Sequence, residues 1–186
     1  MESHVVILVA GVSGVGKSTV IKKLTTLSLQ YEFIKTHTTR APRIGGDEKI
    51  SISVEEFLRN EKAGMYFEKG QLYDTFYGSP AEPFFNALFK GQIPVSGTSL
   101  QSVNKTAIPN TRLIYLLPPS LEELRRRLSL DDRDPTGTRF WQGCRELEEV
   151  KAGKYDAMID RIFINDKCPE TTAKHIDNFC KIYHSP

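Results

Sequence analysis

Gly11-Val12-Ser13-Gly14-Val15-Gly16-Lys17-Ser18-Thr19 is the stretch on which the reading of this chain turns. It fits G-x-x-x-x-G-K-[ST] at every fixed position. Just before it, Val5 to Ala10 is a continuous apolar run rich in β-branched residues, the pattern of a strand buried on both faces of a parallel sheet. Just after it, Val20, Ile21, Leu24 and Leu27 recur at helical spacing. In a strand, glycine loop and helix of this order, successive backbone N–H groups turn inward around an anion and the helix N-terminus adds a favourable dipole. Gly11, Ser13, Gly14, Val15, Gly16, Lys17, Ser18 and Thr19 are therefore the expected nucleotide-binding residues. Lys17 would bridge the β- and γ-phosphates of ATP, and the Ser18 hydroxyl would be offered to Mg2+.

Working outward, Ile93 to Ser96, Arg112 to Leu117 and Arg161 to Ile164 read as further strands. Val54 to Lys62, Pro83 to Lys90 and about Glu170 to Tyr183 read as helices. Another starts at Leu121, behind Ser120 as N-cap and with Glu122 and Glu123 in its first turn. Asp131 to Gly143, with Pro135, Gly137 and Trp141, reads as a loop between helices. Strands alternating with helices imply an α/β fold, a three-layer domain on a parallel core sheet. From Tyr31 to Gly91 short β-branched pieces and many Gly and aromatic residues suggest a smaller inserted module.

With 186 residues the chain suffices for one domain with a full core. Its net charge of +2 and the lack of a basic run or interleaved aromatic stripe argue against nucleic acid as partner. Cys144, Cys168 and Cys180 are odd in number and form no CxxC pair, so neither a disulfide framework nor a zinc site is expected. The opening residues carry no secretory pattern, and no stretch reaches the roughly 18 apolar residues of a membrane helix. A cytoplasmic protein, monomer or homodimer, is the expectation.

Beyond the loop, Thr38-Thr39-Arg40-Ala41-Pro42-Arg43 resembles the TTRxPR segment of guanylate kinases. Phe67-Glu68, Phe76-Tyr77-Gly78-Ser79, the run from Leu117 to Leu124 and Ile164-Asn165-Asp166 resemble that family in order and spacing, over nearly the whole chain. The resemblance implies a P-loop kinase with a core of 1–35, 91–124 and 151–186, an acceptor-binding module of 36–90 and a lid of 125–150. It implies that Thr36, Arg40, Arg43 and Tyr77 hold the phosphate of a small phosphorylated acceptor, and that Glu68 and Ser79 contact its base. Lys17, Arg133 and Arg145 would be the catalytic cations, the two arginines coming from the lid, and Asn165 would lie near adenine. Planar guanidinium forks at Arg40 and Arg43 suit a dianionic phosphate, although two surface arginines would read the same by residue type. Glu68 could equally be a strand-edge carboxylate.

Two departures matter. Guanylate kinases carry an acidic DxD-like strand, whereas Pro94 to Ser99 here holds no acid, with Gly97 and Ser99 at the two acidic positions. Ser99 is left as a hydroxyl acceptor for the base. The segment Ile44 to Ile50 is also short, and Lys49 stands where the family has a phosphate-contacting tyrosine. Phosphorylation of GMP or dGMP is the leading expectation. Ribose 1,5-bisphosphate phosphokinases, on the same fold, share the short loop and the acid-free strand. A non-catalytic guanylate-kinase-like binding module is the third reading.

Overall fold

The computed structural model describes residues 5–42, 49–72, 74–103, 107–130, 134–166 and 168–183. In chain order the elements are β1 (Val6–Ala10), α1 (Lys17–Leu27), β2 (Tyr31–Phe33), β3 (Thr36–Thr38), β4 (Lys49–Ser51), α2 (Val54–Lys62), β5 (Tyr66–Leu72), β6 (Thr75–Pro80), α3 (Ala81–Phe89), β7 (Ile93–Gly97), β8 (Thr111–Leu117), α4 (Leu121–Leu130), α5 (Thr138–Lys151), β9 (Arg161–Ile164) and α6 (Pro169–Lys181).

The larger sheet runs β2-β7-β1-β8-β9 with every pairing parallel. Alternate residues of its central strand serve two separate apolar clusters. Val5, Ile7 and Val9 pack with Val20, Ile21 and Leu24 of α1 and with Ala173, Ile176 and Cys180 of α6. Val6, Leu8 and Ala10 pack with Phe84 and Ala87 of α3 and Val150 of α5. Both faces of the strand are covered, which is why it reads as an unbroken apolar run and not as an alternation. The expected three-layer α/β fold with a parallel core sheet is the one found. None of the described helices is long and apolar enough to cross a membrane.

A second sheet, β4-β3-β6-β5, lies between the first two strands of the core and β7 in sequence. Its register sorts its side chains strictly. Thr38 pairs with Tyr77 and Ser51, Tyr77 with Gly70, Ser79 with Glu68, and Thr36 with Lys49, so these residues share one face. The opposite face carries His37 and Phe76 and is covered by α2. There the Phe57 ring is 1 % exposed and stacks between Tyr66 and Phe76, at centroid distances of 4.8 and 5.2 Å. His37 Nδ1 lies 2.9 Å from the Tyr66 hydroxyl. Ser53 starts α2 by accepting the Glu56 N–H at 3.0 Å, with Glu55 and Glu56 in the first turn and Arg59 and Lys62 in the last.

One expectation is corrected. The loop read from Asp131 to Gly143 ends early, because α5 begins at Thr138 and contains Trp141 and Gly143. The Asp134 carboxylate accepts the backbone N–H groups of Arg139 and Phe140 at 2.9 and 2.7 Å and so satisfies two orphan donors of that helix. Gly137, at φ 72°, turns the chain into it. Asp131 to Arg133 lie outside the described residues.

Phe57→Ala is expected to cost about 3–5 kcal/mol, the range for truncating a buried aromatic ring, read as a lower urea midpoint. Burial holds the His37 imidazole below its ordinary value, outweighing the nearby Glu56 charge. The unfolded chain therefore binds this proton more readily. Stability should be full above the ordinary histidine range of about 6.5 and fall as the pH drops below it. His37→Gln should flatten that slope in melting temperatures taken between about pH 7.5 and 5.

Candidate active site

The chain leaves β1 at Gly11 and enters α1 through Gly16, and side chains are excluded at both points. A Cβ on Gly11 would stand 2.7 Å from the Leu116 carbonyl oxygen, and one on Gly16, at φ 96°, would stand 2.6 Å from Asn165 Nδ2. Between them Val12 and Val15 turn inward and are buried among Leu124, Leu128 and Phe140. The apolar underside anchors the loop and leaves its backbone for ligand. Lys17 Nζ lies over the loop and donates to the Gly11 and Val12 carbonyls. Ser13 and Ser18 are half-buried and Thr19 is exposed.

Asn165 grips the loop from behind. It is 2 % exposed, its Nδ2 donates to the Val15 carbonyl at 2.7 Å, and its Oδ1 accepts from the Thr172 hydroxyl at 3.1 Å. Both ends of the amide are thus committed to the protein. Arg127, which the sequence did not single out, joins it. Its Nη1 donates to the Val15 carbonyl at 3.1 Å, its Nη2 to the Asp166 carbonyl at 2.9 Å and its Nε to Glu123 at 2.8 Å. The hydrogen bonds from Arg126 and Arg127 hold the Glu123 carboxyl down at about 2, so it stays ionised at any working pH. The Glu123/Arg127 spacing of i, i+4 was the one available signal for this arginine. Gly14, Gly16, Thr19, Arg127, Asn165 and Pro169 line a cleft of ≈ 410 Å³ beside the loop. A second cleft of ≈ 560 Å³ adjoins it, with Pro119, Ser120 and Glu122 in its wall, and shares Glu123, Arg126 and Asp166 with the first.

The polar face of the smaller sheet collects the other expected residues. Thr36, Thr38, Glu68 and Ser79 are all buried there, at 5, 0, 3 and 4 % exposure. Ser79 Oγ donates to Glu68 Oε2 at 3.2 Å. Lys49 Nζ donates to Thr36 Oγ1 at 2.6 Å and sits 5.2 Å from the centroid of the Tyr77 ring. Arg40 is half-buried at the edge of this face, its N–H donating to Thr38 Oγ1 at 3.3 Å and its Nη1 to the Ala41 carbonyl at 3.3 Å. Ser99, at the end of the core strand β7, is half-buried with its hydroxyl 2.9 Å from that of Ser102. Arg145 is exposed on α5. Arg43 and Arg133 lie outside the described residues. Thr38 and Ser51 are residues of this face that sequence reasoning passed over, although Thr38 stands in the quoted TTRxPR segment.

The guanylate kinase family model matches residues 2–179. Guanylate kinase of Nitratidesulfovibrio vulgaris is 28% identical over 184 residues, covering 95% of this chain and 88% of that protein. Guanylate kinase of Clostridioides difficile is 31% identical over 185 residues, covering 95% and 87%. Among solved structures, a guanylate kinase from Anaplasma phagocytophilum superposes with a TM-score of 0.76 at 24% identity, over 100% of this chain and 88% of that one. A shikimate kinase from Acinetobacter baumannii in complex with shikimate superposes at 0.52 and 15% identity, over 100% and 97%. Both structural likenesses speak to the fold.

Asn165→Ala removes the shorter of two donors to the Val15 carbonyl, which keeps Arg127, and leaves the Thr172 hydroxyl only its 3.5 Å contact to the Ile164 carbonyl, at a cost of about 0.5–1.5 kcal/mol for each hydrogen bond lost. The expected outcome is a lower melting temperature together with weaker ATP binding by calorimetry. Thr172→Val, which leaves the bond to Val15 in place, should lower the melting temperature while affecting ATP affinity far less.

Proposed function

Because the chain belongs to the guanylate kinase family, we propose that it transfers the γ-phosphoryl group of ATP to GMP or dGMP, yielding ADP and the nucleoside diphosphate. The observation that carries this reading is the pairing of an intact phosphate loop with a separate sheet face on which a buried carboxylate, a lysine and several hydroxyls stand together. A buried carboxylate beside a hydroxyl suits a nucleobase edge and has less to offer a bare sugar phosphate. The intact loop likewise favours catalysis over a module that only binds a protein partner.

Each substrate then has its own holder. The loop N–H groups from Gly11 to Thr19, the N-terminus of α1 and Lys17 take the phosphates of ATP. The adjoining clefts beside Arg127 and Asp166 accommodate its nucleoside. Thr36, Arg40, Arg43, Lys49 and Tyr77 hold the acceptor phosphate, and Glu68, Ser79 and Ser99 face its base. Magnesium would be held by the Ser18 hydroxyl, a hard oxygen donor that suits the ion. Among the described residues no group of three or more His, Cys, Asp or Glu converges to hold a metal by itself. When bound, the ion neutralises charge on the β- and γ-phosphates.

The acceptor phosphate is already an anionic nucleophile, so no general base is required. What the protein must supply is in-line positioning and stabilisation of the charge spread over the migrating group. Lys17 serves the second need from the loop side, and Arg133 and Arg145 serve it from the lid of 125–150. The acceptor module of 36–90 and the core of 1–35, 91–124 and 151–186 close around the pair. The enzyme works in the cytoplasm, where both nucleotides are dissolved.

Coupled ADP-release assays across GMP, dGMP, AMP, UMP, CMP and ribose 1,5-bisphosphate test the assignment, with guanine nucleotides expected to be turned over best. No turnover of a guanine nucleotide would sink it. Arg40→Ala is expected to raise the acceptor KM tenfold or more, as for loss of a charge-assisted phosphate contact, with the KM for ATP nearly unchanged. An unchanged acceptor KM would remove Arg40 from the phosphate site.

A further inference from the structure

Besides Phe67, which packs on Phe84 of α3, strand β5 of the smaller sheet approaches the core at Gly70. A Cβ there would stand 2.4 Å from the Ser102 hydroxyl oxygen, so nothing can lie between them. The Ser102 hydroxyl is 2.9 Å from that of Ser99, within a turn in which the Ser102 and Val103 N–H groups both donate to the Ser99 carbonyl at 3.1 Å. Gly70 is two residues along β5 from Glu68 and faces the same way, about 7 Å away at the rise of a strand. The buried carboxylate of Glu68 and the Ser99/Ser102 hydroxyl pair therefore converge on one side of the sheet.

Resting on the reading that this face takes the base of the acceptor, we infer that the site recognises the N1–H and O6 edge of a 6-oxopurine and is nearly indifferent to the 2-amino group. Inosine monophosphate is thus a second substrate, phosphorylated to the diphosphate by the same transfer. Guanine and hypoxanthine share the N1–H donor and the O6 acceptor and differ only in the exocyclic amine. Glu68 accepts the N1–H in a charge-assisted bond that both bases can make.

What meets the amine decides the discrimination. A polar pocket rejects an analogue strongly when the missing group leaves a buried partner unpaired. A carboxylate would be left so; two hydroxyls that already bond each other are not. When hypoxanthine binds, Ser99 and Ser102 keep their mutual hydrogen bond. When guanine binds, the amine gains one neutral hydrogen bond, worth about tenfold or less. Gly70 is what lets the pair approach the base, since any side chain there would displace Ser102.

The test is steady-state turnover of GMP and IMP by the full chain, with AMP as the base that lacks N1–H and O6. The expected ratio of kcat/KM for GMP over IMP is about tenfold or less, with AMP far below both. A ratio above about tenfold, with GMP turned over well, overturns this inference alone; no turnover of GMP overturns the assigned activity and this inference with it. Ser99→Asp should widen the ratio at least about tenfold, chiefly by loss of IMP turnover, because a carboxylate would stay unpaired opposite hypoxanthine. Ser102→Ala should widen it in the same direction, since Ser99 then lacks its partner only when the amine is missing. Melting temperatures show which variants are folded, and an unchanged ratio in a folded variant excludes the hydroxyl pair from the base site.

Discussion

The carbonyl of Leu116 and the amide of Asn165 press against the phosphate loop so closely that no Cβ fits at Gly11 or Gly16. That contact sets where everything else must stand. Leu116 belongs to β8, the neighbour of β1, and Asn165 follows β9, the next strand out. Parallel pairing of three strands therefore brings two separate segments to one loop, and α6 locks the second of them through Thr172. A loop without side chains at these points would be slack alone. Here its shape is imposed by the sheet, by the buried Val12 and Val15 beneath it and by Arg127 alongside, so its N–H groups are held in place before any anion arrives.

The smaller sheet solves a different problem. It has to be ordered although one face is given over to polar groups, which contribute little apolar burial. Order comes from the reverse face, where Phe57, Tyr66 and Phe76 stack and His37 pairs with the Tyr66 hydroxyl. The polar face is held by its own bonds, Ser79 to Glu68 and Lys49 to Thr36.

How far this was legible in the sequence depended on the element. The buried central strand, the loop and α1 could be read because continuous apolar burial, fixed glycines and 3.6-residue periodicity are strong local patterns. α2 was legible to both its ends, Val54 and Lys62, through its cap. β5 and β6 were not resolved as a hairpin, because Tyr66–Leu72 and Thr75–Pro80 alternate aromatic residues with Gly, Ser and Glu on a polar face, against the usual strand signature. The start of α5 was missed because its cap, Asp134, sits five and six residues before the N–H groups it satisfies. At the site, the loop stood out through its motif, and the residues that share the polar sheet face were singled out through family resemblance. Arg127, and the inward commitment of Asn165, depend on contacts between distant segments, which spacing in one chain does not encode.

The two faces of the smaller sheet also answer to different demands. Residues on its aromatic side decide whether the sheet stands, while those on its hydroxyl-lined side decide what rests on it, and alternate positions along a strand belong to different sides. A substitution at Lys49, on the polar side, therefore bears on the ligand more than on the packing, while a truncation of Phe57 strikes at folding first. Such an arrangement separates, within a few residues of chain, what keeps the sheet standing from what its polar side presents to solvent and ligand.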